Sequence, residues 1–152
     1  MIYEGANGIQ ALDLARRKLT IDDGRAMDDF LAGGDDLDRR LADHPPLATM
    51  RAALSACHAA LAEASRWLRA AWSRDPEAAA AGASDYLRLV GRVACGREMA
   101  EAALISLDRD DAFHRAKLAT CRFYGARLLA PAAALLGPIT AGADDFAALD
   151  EG

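Results

Sequence analysis

The sequence predicts an all-α protein, an antiparallel up-and-down bundle of about four to five long helices. Three observations carry this expectation. Hydrophobic residues make up 53% of the chain and aromatic residues only 6%, with alanine supplying much of the difference; that composition favours closely packed helices over sheets. Apolar residues recur at alternating steps of three and four, the repeat of an amphipathic helix. Runs of period two flanked by hairpin turns are nearly absent.

Five helical segments follow from this pattern. The first covers about Asn7 to Leu19, with Ile9, Leu12, Leu14 and Leu19 as its apolar face. Arg16, Arg17 and Lys18 complement the negative end of its dipole, and Asp22-Asp23-Gly24 breaks it. The second runs from about Gly24 to Asp43, with Met27, Phe30, Leu31, Leu37 and Leu41 inward. Gly33-Gly34 is expected to bend it or divide it in two, and Asp35, Asp36 and Asp38 suit the start of a second half.

His44-Pro45-Pro46 is a firm stop, and proline is favourable where the next helix begins. The third helix, about Pro46 to Ser73, has the clearest periodicity: Leu47, Met50, Leu54, Cys57, Leu61, Ala64, Leu68 and Trp72. Arg74-Asp75-Pro76 ends it. The fourth, about Pro76 to Leu107, starts in the alanines at 78–81 and takes Tyr86, Leu89, Val90, Val93, Cys95, Met99, Ala103 and Leu107 as its core; Gly91 and Gly96 are expected at close backbone contacts. The fifth begins near Asp111 and is read as burying Phe113, Ala116, Thr120, Phe123, Tyr124, Leu128 and Leu135, with a kink at Pro131. From Gly142 a short terminal piece is expected to dock through Phe146 and Leu149.

At 152 residues and 16.1 kDa the chain has the size of one domain. Its net charge of −5 argues against general nucleic-acid binding, which needs a basic stripe to displace counterions. No apolar run is long enough for a membrane span, and the N-terminus lacks the pattern of a secretory signal. Cys57, Cys95 and Cys121 are widely spaced within helical patterns and read as buried free thiols of a reducing cytoplasm. His44, His58 and His114 are equally scattered, so no metal site is expected.

The chemistry-bearing candidate is Glu4. A carboxylate beside a glycine at a helix start reads either as an acidic cap, favoured by the dipole, or as a base reaching into a cleft where the glycine admits a ligand. Arg115, Lys117, Arg122 and Arg127 share a helix and read as a solvated face or as phosphate ligands. Trp67 and Trp72 read as core and rim, and Tyr86 and Tyr124 as interhelical hydrogen-bonding residues.

Residues 2–18, IYEGANGIQALDLARRK, resemble the segment IYEGTNGIQALDLxGRK of acyl-CoA dehydrogenases. Residues 85–91 (DYLRLVG) and 113–124 (FHRAKLATCRFY), together with 141–144 and 148–151, resemble the C-terminal extension of a long-chain-form subgroup of that family. That subgroup includes enzymes acting on 3-methylmercaptopropionyl-CoA and carries an acetyl-CoA-dehydrogenase-like C-terminus. The resemblance spans essentially the whole chain, and its first segment is the most specific.

The resemblance implies a set of roles. Glu4 falls on the catalytic base that removes the α-proton of an acyl-CoA thioester while hydride passes from the β-carbon to FAD. Its backbone N–H would help polarise the thioester carbonyl, whose developing negative charge needs hydrogen-bond donors. Gly5 would let flavin and thioester lie close, and Ile9 and Gln10 would fall near the flavin of the same or a neighbouring subunit. Ala6 stands where the family usually has threonine, which removes a hydroxyl that can contact the flavin. Acyl-CoA, electron-transfer flavoprotein and homo-oligomeric contacts are the implied partners of the parent enzyme.

On this comparison residues 1–20 are the last helical segment of a dehydrogenase-type catalytic domain and 21–152 a C-terminal helical extension. The parts that supply most of the FAD and acyl-CoA sites would precede residue 1. The chain is therefore expected to be a structural piece of a larger enzyme, inactive alone. The rival expectation is a stand-alone helical interaction module, with Glu4 as a helix-start residue and Asn7–Leu19 packing on a partner. A third is a non-catalytic subunit that assembles with a separate flavin domain.

Overall fold

The chain turns at Asp22–Gly24, at His44-Pro45-Pro46, after Arg74 and at Asp108–Asp111, where the apolar repeat is interrupted. The computed structural model describes residues 3–143, with side chains from Ala6 onward, and all its regular structure is helical. The helices are α1 (Tyr3–Leu12), α2 (Arg25–Ala42), α3 (Ala48–Arg74), α4 (Pro76–Ala81), α5 (Ala83–Leu107), α6 (Ala112–Tyr124) and α7 (Leu136–Thr140). The expected docking of Phe146 and Leu149 falls outside the described residues.

Side-chain bridges fix the directions. Arg69 of α3 reaches Asp28 at 3.0 Å and Arg51 reaches Asp38 at 2.8 Å, so α2 and α3 are antiparallel. Ser65 meets Tyr86, and Leu54 lies against Gly96, so α3 and α5 are antiparallel. Cys121 lies by Met99, and the Tyr124 hydroxyl donates to the Arg92 carbonyl at 3.1 Å, so α6 runs back along α5. The four columns are α2, α3, α5 and the α6–α7 run, while α1 packs on α5 from outside.

α3 is the central column, as its periodicity predicts. Met50, Leu54, Cys57, Leu61, Ala64 and Leu68 are all buried. The Tyr86 hydroxyl, fully buried, pairs with Ser65 Oγ at 2.9 Å, and Ser65 also donates to the Leu61 carbonyl at 2.7 Å. Both tyrosines thus link helices as expected. Ahead of Pro131 the helix widens into a π turn, Gly125–Leu129, and then tightens into a 3-10 turn, Ala130–Leu135. The Cys57 thiol donates to the Leu129 carbonyl at 3.2 Å in this irregular stretch.

Several expectations need correction. The first segment is helical from Tyr3 and loosens after Leu12 into a π turn and then a 3-10 turn ending at Gly24. α2 is continuous through Gly33-Gly34. The glycines are a notch rather than a break: a Cβ on Gly34 would collide with His58 Cε1, and one on Gly33 would lie 2.6 Å from an Arg97 nitrogen. The fourth segment is divided at Gly82, where a Cβ would sit 2.5 Å from the Ile139 carbonyl oxygen. The backbone of α7 crosses there, so a side chain is excluded. Gly91 has open space around it, against expectation, whereas Gly96 accepts the side chains of Leu129 and Leu54. Cys95 is exposed rather than buried.

The largest correction concerns α6. Phe113 (65% exposed), Ala116, Thr120 and Phe123 (59% exposed) face outward. Tyr124 is buried as expected, and the residue that joins it on the buried face is Cys121, with Leu118 half-buried. α6 had two apolar faces to offer, and the bundle uses the one carrying the tyrosine that can bond to α5.

Candidate functional site

α1 carries the residues singled out by the N-terminal segment. The backbone of Glu4 and Gly5 lies within this helix, and the Glu4 side chain falls outside the described residues. Ala6, Ile9 and Gln10 are exposed, Ile9 at 67%, and Leu12 beside them is 43% exposed. Ala11, Ala15 and Leu19 form the opposite, buried face. The helical repeat thus sets the implied flavin-side residues on the face turned away from the bundle.

Two contacts secure this segment at its far end. The Trp72 indole N–H donates to the Ala15 carbonyl at 2.7 Å, and the Arg16 guanidinium stacks over the indole at 5.6 Å. Ala15 lies in the π turn, Asp13–Arg17. Beyond it the chain reverses through Asp22 (φ 52°), Asp23 (φ 58°) and Gly24 (φ 86°). Aspartate tolerates the left-handed region better than most residues, and glycine adopts it freely. Arg69 lies against Gly24 and donates to its carbonyl at 2.9 Å.

A flavin site needs walls that exclude water and donors aimed at the ring. Ala6, Ile9 and Gln10 lie together on the exposed face of α1, and Gly8 has no other atoms close to where a side chain would be. These residues do not make a complete FAD site.

The bundle has its own cavities. One of about 340 Å³ lies between α2 and α3, lined by Gly34, Asp35, Asp38, Leu54, Ser55 and His58 among others. The His58 ring lies parallel to Phe30 at 6.5 Å, and Arg97 from α5 stacks on Phe30 at 4.8 Å while donating to its carbonyl at 2.6 Å. His58 Nε2 is buried without a partner. Burial, and then the Arg97 charge, lower its pKa from the ordinary 6.5, with Asp35 and Asp38 opposing. The imidazole is therefore neutral near pH 7, with its Nε2 enclosed. This arrangement clips α2 to α3 and α5, and among the described residues no hydrogen bond joins His58 to Ser55.

A second, more apolar groove of about 420 Å³ is lined by Phe30, Ala94, Cys95, Arg97, Glu98 and Met99. Burial raises the Cys57 and Cys121 thiols above their ordinary pKa, which makes both poor nucleophiles. Among the described residues, no three His, Cys, Asp or Glu side chains come together as metal ligands, and no helix is long and apolar enough to cross a membrane. Of the basic residues on and after α6, Arg115 is engaged with Asp110 at 2.8 Å, while Arg122 and Arg127 are exposed.

The sequence reading missed the His58–Arg97 clip and the outward phenylalanines. The adjacent pair Gly33-Gly34 was the signal for the first. The alanines at 112, 119 and 126 beside Phe113 and Phe123 were the signal for the second. No curated protein matches the sequence. A family model described as acetyl-CoA dehydrogenase C-terminal like matches residues 24–150, and since that match begins at the turn before α2 and takes in every later helix, the chain belongs to this family of helical C-terminal domains.

Proposed function

We propose that this chain is the helical C-terminal part of an FAD-dependent acyl-CoA dehydrogenase-like enzyme, in the subgroup that includes enzymes acting on 3-methylmercaptopropionyl-CoA. Residues 1–20 form the last helical segment of the catalytic domain, and 21–152 the extension that braces it. The family match over residues 24–150 carries this reading. The exposed Ala6, Ile9 and Gln10 on α1 support it, since that face is free to meet a flavin-bearing domain.

When bound in the parent enzyme, FAD would supply the acceptor for hydride from the β-carbon. This chain contributes Glu4 as the base for the α-proton, on a helix whose position is set by Trp72. Electron-transfer flavoprotein is the proposed electron acceptor. The free thiols at positions 57, 95 and 121 fit a cytoplasmic enzyme.

The isolated chain should neither bind FAD nor oxidise an acyl-CoA. Flavin fluorescence titration and dye-linked acyl-CoA oxidation with purified protein test this, and turnover by the chain alone would overturn it. In the parent enzyme Glu4→Gln should abolish release of the α-proton, measured as deuterium wash-in. Retained exchange would remove Glu4 from the mechanism.

A further inference from the structure

Trp67, half-buried, stands between two cavities on one face of α3. The first, of about 550 Å³, is lined by Glu63, Arg66, Ala70, Arg74 and Thr140 beside the indole. The second, of about 300 Å³, shares Trp67 and Arg74 and adds Ala71, Asp75, Ala78 and Gly142. Between Trp67 and Arg74 the lining is Ala70 and Ala71, so a trough runs along the helix beside the indole. Asp75 is engaged at the start of α4, where its carboxylate accepts from the Ala78 N–H at 3.0 Å. Among the described residues, Arg66 and Arg74 are ion-paired with no carboxylate.

The fold delivers an acidic stretch of the same chain to this trough. Ile139 is fully buried, and its backbone lies against Gly82, which fixes α7. Gly142 then takes the left-handed conformation, φ 88°, at the edge of the second cavity, the usual way a chain leaves a helix in a new direction. Residues 144–151 read DDFAALDE, with carboxylates at Asp144, Asp145, Asp150 and Glu151, no cation, and Phe146 and Leu149 between them.

We propose that residues 144–151 dock in this trough. Phe146 and Leu149, three apart and able to share a helical face, cover Trp67 and the two alanines. Asp144 and Asp145 meet Arg74, and Asp150 and Glu151 turn toward Arg66. Arg66 and Arg74 are eight residues apart in α3, about 12 Å along its axis. From Asp145 to Asp150 the chain spans roughly 8 Å as helix and roughly 16 Å extended, which brackets that separation. Glu63 lies in the same cavity as Arg66 and opposes the far carboxylates, so Arg74 carries most of the charge recognition. Asp144 follows two residues after Gly142, so closing the loop costs little and the effective concentration at the trough is high. The docked segment would strap α3, α4 and α7 together. It uses no residue of α1 and is independent of the dehydrogenase reading.

Hydrogen exchange of the full chain tests it. Amides of residues 146–149 should exchange at least about tenfold more slowly than in an unstructured peptide, equally at all protein concentrations. Arg74→Glu should remove most of that protection, and Arg66→Glu less of it. Adding Asp144→Lys and Asp145→Lys to Arg74→Glu should restore it, because the reversed charges pair again. Trp67→Ala should remove it as well, with the amides around Leu61 reporting whether the bundle stays folded. If Trp67→Ala unfolds the bundle, the charge reversal at the exposed Arg74 still decides the matter. Amides of 146–149 that exchange as in a free peptide, protection that survives Arg74→Glu, or a reversed-charge variant no better protected than Arg74→Glu would overturn the proposal. So would protection that grows with protein concentration, which would place the segment on another molecule.

Discussion

α3 and α6 carry the same sequence pattern and treat it in opposite ways. In α3 the stripe from Met50 to Leu68 is buried between α2, α5 and the α6–α7 run. In α6 the stripe from Phe113 to Phe123 faces away from the bundle, and Tyr124 and Cys121, off that stripe, turn inward. Helical periodicity establishes that an apolar face exists. Where a helix has two such faces, hydrogen bonding chooses between them: the Tyr124 hydroxyl finds the Arg92 carbonyl, an option Phe123 lacks.

The comparison is broken most strongly at the centre of α3. Leu61→Ala, at a fully buried position, should cost about 2–5 kcal/mol in urea unfolding, through lost burial and the cavity it leaves. Next is Gly82→Ala, whose methyl would meet the Ile139 carbonyl. It should cost about 1–3 kcal/mol and lower the hydrogen-exchange protection of α7. Tyr86→Phe should cost about 1 kcal/mol, since it deletes one buried hydrogen bond while Ser65 keeps its bond to Leu61.

A further effect depends on pH. His58 binds its proton less readily in the folded chain than at the ordinary 6.5, so the unfolded state takes up protons first as pH falls. Stability from this group should be full above 6.5 and decline as pH drops through 6.5 toward the lower folded value. Denaturation midpoints measured across that window should fall more for the native chain than for His58→Gln, and equal slopes would contradict the assignment. The smallest effect sharpens the contrast with α3. Phe123→Ala removes a larger side chain than Leu61→Ala, yet it should shift stability by no more than about 0.5 kcal/mol.

The all-α class and the extent of α3 were legible because their signals are local: alanine content, a long unbroken repeat, and Pro45-Pro46 and Pro76 as punctuation. The continuity of α2 was not, because Gly33-Gly34 reads as a break until His58 and Arg97 are seen to occupy the space the glycines leave. The exposure of Cys95 and the freedom around Gly91 depend on which side of α5 meets a neighbour, and a single helix does not encode that. For the candidate site, Glu4, Gly5, Ala6, Ile9 and Gln10 rest on the resemblance of a short segment. A carboxylate beside a glycine at a helix start is by itself an ordinary feature, and the partners that would give it chemistry are not among the described residues.

The bond from Trp72 to the Ala15 carbonyl also gives the molecule an intrinsic optical probe. One of the two tryptophans rests on the first helical segment, with an arginine over its ring. Undocking of that segment would hydrate the indole and red-shift its emission, while the Trp67→Phe variant would remove the second emitter. Whether α1 stays in place when another protein approaches could then be followed in real time without a label.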